Sequence, residues 1–117
     1  MTDHSEIAAR WAEGLRGDWG ILEQLTSPTM RVWHSHDDLW LDVEESSARM
    51  PPAEERQPPS FRDVRTHVTP TGFVVQAAIE GFAGAGGRTH IVQILTVQDG
   101  RIASCEEYIA PVTVPGA

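Results

Sequence analysis

The dipeptide Asp99-Gly100 constrains the fold more than any other feature of this sequence. It separates two runs rich in apolar and β-branched residues, 88–98 and 101–109. Asp-Gly favours a two-residue type I′ turn, because both central residues of that turn need a positive φ. The sequence therefore predicts a β-hairpin close to the carboxyl end of the chain.

Counting outward from this turn predicts how the two strands pair. Gln93 is expected to face Glu106 on one side of the hairpin. On the other side, the same count places Glu107 together with His90, Val92, Ile94 and Cys105. Each side mixes aliphatic residues with one or two polar ones, so we expect a sheet that is covered on both faces.

The rest of the chain predicts three helices and three further strands. Apolar residues recur at three- and four-residue spacing over 7–15 and again over 19–25, which is typical of short amphipathic helices. Strands are predicted over 30–36, 61–68 and 73–82, a short helix over 43–50, a Pro-rich loop over 51–60 and a Gly/Ala-rich connection over 81–87. This order indicates an α+β fold, with residues 1–117 as one domain.

The charge composition excludes several classes of function. The chain has 17 acidic residues against nine basic ones and a net charge of −8, so it lacks the clustered positive charge that nucleic-acid binding needs. All nine basic residues are Arg, which excludes a Schiff-base lysine and a P-loop. Cys105 is the single cysteine, which leaves no internal disulfide and no CxxC zinc site.

The hydropathy of the chain gives no sign of a membrane partner. No apolar run approaches the roughly 20 residues that a membrane-spanning helix needs. The first residues are acidic and polar, whereas a secretion signal has a basic stretch followed by an apolar core. We therefore expect a cytoplasmic protein without a membrane partner.

Four short stretches, taken in order, are similar to the pattern of one known family. They are the apolar helix 7–15 with Gly17-Asp18 after it, the run Val32-Trp33-His34, the strand start Gly72-Phe73-Val74-Val75, and Asp99-Gly100-Arg101-Ile102 leading to Glu107-Tyr108. Together they span nearly the whole chain. The sequence thus resembles the SnoaL-like and ketosteroid isomerase-like branch of the nuclear transport factor two-like superfamily.

This resemblance implies both a fold and a range of activities. The implied fold is a cone-shaped domain, in which N-terminal helices pack in a curved, mostly antiparallel sheet and enclose an apolar pocket. It also implies a homodimer formed through the outer face of the sheet, and a small apolar molecule as ligand, with no cofactor. Members include isomerases, polyketide cyclases, epoxide hydrolases and dehydratases, so fold alone does not choose the reaction.

Three side chains are candidates for proton transfer. The resemblance places His34 where ketosteroid isomerase-like proteins have their catalytic carboxylate, and an imidazole can take up and return a proton near neutral pH. It places Glu107 where SnoaL-like cyclases have an acidic catalytic residue. His90 is the third, because the counted register puts it on the face of Glu107. We expect the pocket wall to include Trp11, His36, Trp40, Val92, Ile94 and Cys105.

The sequence also departs from the ketosteroid isomerase pattern. Those enzymes hold the enolate oxygen with a tyrosine on the first helix and a protonated aspartate on a strand. The matching positions here are Trp11 and either Val92 or Gln93. That oxyanion hole is therefore missing, and steroid isomerisation by that mechanism is disfavoured.

Two alternatives to acid/base catalysis follow from the same residues. His34, His36 and Asp37, with His90 or Glu107, include metal-ligand types, but their spacing is weakly specific and we expect no metal. The second alternative belongs to a different class of function. It is a non-catalytic module that binds a hydrophobic ligand or dimerises, with the same histidines only hydrogen-bonded in place.

Overall fold

The computed structural model describes residues 3–80 and 87–112. The elements follow in this order: α1 (Ser5–Leu15), α2 (Trp19–Leu25), β1 (Thr26–His34), β2 (Leu39–Asp42), α3 (Val43–Ala48), a 3-10 turn (Ala53–Glu55), β3 (Arg62–Thr69), β4 (Gly72–Glu80), β5 (Arg88–Gln98) and β6 (Arg101–Pro111). The predicted α+β class is confirmed. The predicted connection over 81–87 and the end of the strand predicted over 73–82 lie almost wholly outside the described residues.

The six strands form one curved sheet in the order β2-β1-β6-β5-β4-β3. β1 runs parallel to β6, and all other neighbouring strands are antiparallel. Buried side chains of α1 and α2 join those of the sheet in one apolar cluster, so these helices cover one face. We call the covered face the inner face and the opposite one the outer face.

Alternation along β4 and β5 decides which side chains enter the core. Phe73 and Val75 on β4 and Ile91 and Leu95 on β5 are at most 1 % exposed. Trp11 on α1 packs against this layer and is also buried. The inner face is therefore apolar along most of its length, and a polar side chain placed there needs a partner.

The hairpin turn has the predicted conformation. Asp99 has a φ of 52° and Gly100 a φ of 76°, as a type I′ turn requires. Arg101 pairs with Gln98 directly after the turn. The prediction of a hairpin at this dipeptide is confirmed.

The predicted register is wrong beyond the first two pairs of the hairpin. Thr96 pairs with Ser104, which leaves Ala103 as an extra residue in a β-bulge. Because side chains alternate between faces, a slip of one residue moves all later ones to the other face. Gln93 consequently pairs with Glu107, and both point to the inner face.

The same bulge corrects the expected surroundings of Glu107. His90, Val92 and Ile94 do not share its face, because they alternate with the buried residues Ile91 and Gln93 and so lie on the outer face. Cys105 is the one residue of the predicted set that stays with Glu107 on the inner face, since it lies two positions earlier on the same strand.

The chain between β1 and α3 also differs from the prediction. The first strand ends at His34, two residues earlier than predicted, and β2 forms where no strand was expected. Asp42 ends β2 and begins α3 with a capping box, in which its carboxylate accepts from Glu45 N at 2.8 Å. Among the described residues, no helix is long and apolar enough to cross a membrane.

Two glycines differ sharply in what a side chain would meet, and this gives a test of the fold. A Cβ on Gly72 would lie 1.9 Å from the carbonyl oxygen of Leu95, whereas one on Gly100 would meet no atom within 4 Å. We expect Gly72→Ala to lower the free energy of unfolding by about 3 kcal/mol, because the neighbouring backbone must move. Gly100→Ala should cost only about 1 kcal/mol, the price of a positive φ.

Urea unfolding of both variants measures the difference. Equal losses of stability in the two would contradict the close approach of β4 to β5 at Gly72.

Candidate functional site

A cavity of about 440 Å³ lies between the two N-terminal helices and the inner face of the sheet. This is within the range of roughly 300–1,000 Å³ that is usual for small-molecule sites. Most of its wall is apolar, supplied by Leu15, Trp19, Leu22, Met30, Val32, Leu41, Met50 and Phe61. Polar side chains also line it, and four of its polar groups form a connected set.

That set is a chain of polar contacts from α1 across the sheet to β1, here called the polar chain. Trp11 Nε1 donates to Gln93 Oε1 at 2.9 Å, and Gln93 Nε2 donates to Glu107 Oε2 at 2.7 Å. Glu107 Oε1 lies 3.4 Å from His34 Nε2. The last contact is longer than a fully formed N–H···O hydrogen bond of about 2.9 Å.

Two strands from opposite ends of the sequence bring His34 and Glu107 together. They are directly paired in the parallel β1–β6 ladder, so both side chains point to the inner face. Ser35 then ties the end of β1 to β6: its backbone N donates to Glu107 O at 2.9 Å, and its Oγ accepts from Ile109 N at 2.9 Å. The backbone thereby fixes the two side chains at neighbouring positions.

Burial and charge set the behaviour of this pair. Glu107 is only 7 % exposed, and the side chain of His34 is 21 % exposed. The Glu107 carboxylate, as a hydrogen-bond acceptor, raises the pKa of His34 above its ordinary 6.5, while burial opposes the rise. Asp37 adds to the rise and Arg49 counters it. The imidazole therefore holds a proton more readily than a free histidine does.

A second group of charged side chains lines the cavity near His34. Asp37 Oδ2 lies 3.3 Å from Arg49 Nη1 and 3.6 Å from His36 Nε2. The rings of His36 and His34 are 5.4 Å apart between centroids. Asp37 thus joins the turn after β1 to the end of α3, and this group lies beside the polar chain.

The Pro-rich segment 51–60 contributes to the cavity wall and is attached to the helices. Arg56 lines the cavity, and its Nε donates to Pro51 O at 2.8 Å. Trp19 Nε1 on α2 donates to Gln57 O at 2.7 Å. The loop predicted over 51–60 thus packs against α2 and forms part of the cavity wall.

The structure brings together some of the predicted site residues and separates others. His34 and Glu107 meet, and Trp11, His36 and Cys105 line the same cavity. His90, Val92 and Ile94 lie on the outer face, so the prediction that His90 shares the face of Glu107 is wrong. Trp40 also lies on the outer side, where the guanidinium of Arg31 stands 5.2 Å from the centre of its ring.

Cys105 is fully buried in the wall beside Glu107. Burial raises the pKa of its thiol well above the ordinary value, and the charges of Glu107 and Glu106 act in the same direction. The thiolate is therefore disfavoured, and Cys105 packs as a small apolar residue.

Gln93 is the main site residue that the counted register misplaced. The sequence left Val92 and Gln93 open as the match to the isomerase aspartate, and of these two Gln93 points to the inner face. The N–H of Trp11 is donated to this amide, so it is not free to hold a substrate oxygen. The sequence did contain a signal for the role of Gln93. It lies between Ile91 and Leu95 at alternate positions of a strand, and a polar residue on such an apolar face needs a hydrogen-bond partner.

The residues proposed for a metal do not form a cluster. His90 is on the other face of the sheet from His34 and His36. Within residues 3–80 and 87–112, no group of three or more His, Cys, Asp or Glu side chains is arranged to hold a metal ion.

A second concavity, of about 650 Å³, lies where β3, β4 and β5 run side by side. Arg65 faces Gln76 there. His67 Nε2 lies 3.0 Å from Gln76 Oε1, and Arg88 forms an ion pair with Asp63. These side chains are mostly exposed, as expected for a solvated polar stripe.

No protein-family model matches the sequence, and no curated protein matches it. Solved structures do match. A nuclear transport factor two-like protein of unknown function from Burkholderia xenovorans superposes with a TM-score of 0.65 at 16% identity, over 94% of this chain and 84% of that one. A proposed SnoaL-like polyketide cyclase from Jannaschia sp. CCS1 gives 0.63 at 19% identity, over 91% and 84%.

A third similar structure is a hypothetical protein from Catenulispora acidiphila with a ketosteroid isomerase-like fold, in complex with trimethylamine. It gives a TM-score of 0.58 at 16% identity, over 89% of this chain and 85% of that one. At such identities the likeness concerns the path of the chain and not the chemistry. The chain therefore has the nuclear transport factor two-like fold shared with SnoaL-like and ketosteroid isomerase-like proteins.

Proposed function

We propose that this chain is a small-molecule enzyme that works by acid/base catalysis without a cofactor. The substrate is an apolar molecule that contains a carbonyl group or a ring, and the reaction is of the isomerase, cyclase or hydratase/hydrolase type. His34 and Glu107 are the proton carriers. Trp11, His36 and Cys105 belong to the wall that contacts the substrate.

One observation carries this proposal: a histidine and a buried carboxylate, 3.4 Å apart, line a mainly apolar cavity of about 440 Å³. Perturbed titratable groups in such a cavity are typical of catalytic sites. The likeness in fold to a proposed SnoaL-like polyketide cyclase is consistent with this class of chemistry.

Ligand screening followed by mutation tests the catalytic role. A library of carbonyl compounds and epoxides is screened by thermal shift, and the binders are assayed for conversion. We expect His34→Ala to lower turnover by about 100-fold to 10,000-fold, the usual contribution of a general acid or base. The binding of the same compound should remain.

His90→Ala is the matched control, because His90 is exposed on the outer face and should leave turnover unchanged. Equal turnover in His34→Ala and the wild type would contradict the catalytic role of His34.

The pH dependence of stability tests the pairing of His34 with Glu107. The pKa of His34 is higher in the folded protein than in the unfolded chain, so protonation of His34 favours the folded state. This stabilisation is complete below the unfolded-state pKa of about 6.5 and is lost as the pH rises through the folded-state pKa. The stability lost in His34→Gln should therefore be larger at about pH 5.5 than at about pH 8.5.

Urea unfolding at both pH values gives the four free energies that are needed. His90→Gln reports the effect of losing a histidine outside the cavity. A loss in His34→Gln that grows with pH would show that the charged imidazole is not supported by Glu107.

A non-catalytic binding or dimerisation module is the second candidate, and the outer face of the sheet favours it. Ile94 is 40% exposed and Tyr108 is 43% exposed on adjacent strands. The ring of Trp33 stands edge-on to Tyr108, with centroids 5.0 Å apart. Exposed apolar groups clustered in this way are typical of an interface. We propose that a second copy of the chain covers this face.

Light scattering coupled to gel filtration tests the homodimer. We expect a dimer for the wild type and a monomer for Ile94→Glu, because a buried unpaired carboxylate opposes association. Val68→Glu is the control. Val68, on edge strand β3, is 50% exposed, but it pairs with the inward-facing Phe73 of β4 and so does not lie on the outer face. A wild type that elutes as a monomer would overturn this part of the proposal.

A further inference from the structure

The polar chain has a fixed direction, because its first member can only donate. The indole of Trp11 has one N–H and no acceptor. The Gln93 amide must therefore turn its oxygen to Trp11, at 2.9 Å, and its NH₂ group to Glu107, at 2.7 Å. The orientation of the amide follows from chemistry, although oxygen and nitrogen of an amide are otherwise hard to tell apart.

The same argument extends to the carboxylate. An NH₂ group cannot accept a hydrogen bond, so Glu107 Oε2 has to accept one and carries no proton. A proton shared between Glu107 and His34 is then confined to the contact between Oε1 and Nε2. Trp11, Gln93 and Glu107 are each between 5 % and 7 % exposed, so water does not compete easily for these contacts.

His34 has a second ring nitrogen, Nδ1, that this contact leaves free. Among the described residues, Nδ1 has no hydrogen-bond partner, and it is not one of the two buried side-chain atoms that lack one, His4 Nδ1 and Thr89 Oγ1. The His34 side chain lines the cavity and is 21% exposed. Nδ1 is thus the ring nitrogen that is left without a partner on a side chain that lines the cavity.

Resting on the proposed function, we propose that Trp11 and Gln93 are positioning residues. They hold the Glu107 carboxylate as an acceptor for Nε2–H of His34. This leaves Nδ1 of His34 to exchange the proton with substrate. In this arrangement Nδ1 takes a proton from a carbon or a water molecule, and the imidazolium that forms keeps its Nε2–H on Glu107. The proton then returns from Nδ1 to the product, so the charge on Glu107 does not change. This assignment refines the proposed function: His34 alone exchanges the proton with substrate, and Glu107, named there as a second proton carrier, orients His34 instead.

The other charged groups near His34 are few and come from two segments. Asp37 and His36 lie in the turn after β1, and Arg49 lies directly after α3. Asp37 is shared between His36 and Arg49, as described above. The polar chain is the part of this environment that approaches His34 from α1, β5 and β6.

NMR titration of the His34 ring tests the proposal without any substrate. In the wild type we expect the neutral ring to carry its proton on Nε2, seen in the ¹⁵N shifts, and to titrate above 6.5. In Gln93→Leu the carboxylate is free to rotate or to bind a proton itself. The pKa of His34 should then fall toward 6.5, and the share of the Nε2–H form should fall with it.

Gln76→Leu is the matched control, because Gln76 faces outward on the neighbouring strand β4 and contacts His67. It should leave the titration of His34 unchanged. If Gln93→Leu also leaves the titration and the tautomer of His34 unchanged, Gln93 does not position Glu107 and the proposal is overturned.

Trp11→Phe keeps the test valid if Gln93→Leu does not fold. It retains an aromatic ring in the core but removes the donor that fixes the amide, so the His34 titration should shift in the same direction. Trp19→Phe removes a comparable N–H bond, to Gln57 O, from the same cavity wall and should have no such effect. Equal effects of the two Trp variants would assign the shift to packing and overturn the positioning role.

These measurements separate the positioning role from the proposed function. If the expected titrations are observed but no compound is converted, the positioning role stands and the catalytic proposal fails. If a compound is converted but the His34 titration is unaltered in both Gln93→Leu and Trp11→Phe, the catalytic proposal stands and the positioning role fails.

Discussion

A carboxylate next to an apolar cavity is costly unless charge and hydrogen bonds compensate it, and the site is organised around this requirement at Glu107. Each compensating group comes from a different part of the fold. β5 supplies the amide of Gln93, β1 supplies the imidazole of His34, and α1 supplies Trp11, which holds the amide in turn. The position of the first helix over the sheet is thus coupled to the charge distribution in the cavity.

Local chemistry in the sequence was enough to predict most of the elements. The two N-terminal helices, the Asp-Gly turn and the four later strands follow from spacing, propensity and turn preference, which act over a few residues. The β-bulge at Ala103 could not be predicted in this way, because alanine has no preference that marks an extra residue in a strand. That single residue inverted the predicted faces for the rest of β6.

The candidate site shows the same division between local and long-range information. The counted register grouped Glu107 with His90, and only the resemblance to a known family brought His34 and Glu107 to one pocket. Gln93 was misplaced because its role depends on a partner that lies 14 residues away across the bulged hairpin. The prediction missed β2 because this strand is only four residues long and follows an acidic turn, so its local sequence favours a strand only weakly. Its pairing with β1 is what makes it a strand.

The parallel pairing of β1 with β6 has a consequence for how the molecule becomes functional. β1 has nine residues and β6 has eleven. Their pairing joins an early segment of the chain to a late one, with the other four strands between them in the sequence. Local hairpins such as β5–β6 close short loops and need little ordering of the chain, whereas this ladder closes a very long one. The His34–Glu107 contact depends on this long-range closure, so we expect it to form after the local hairpins, and a chain with only those hairpins would not bring the two side chains together.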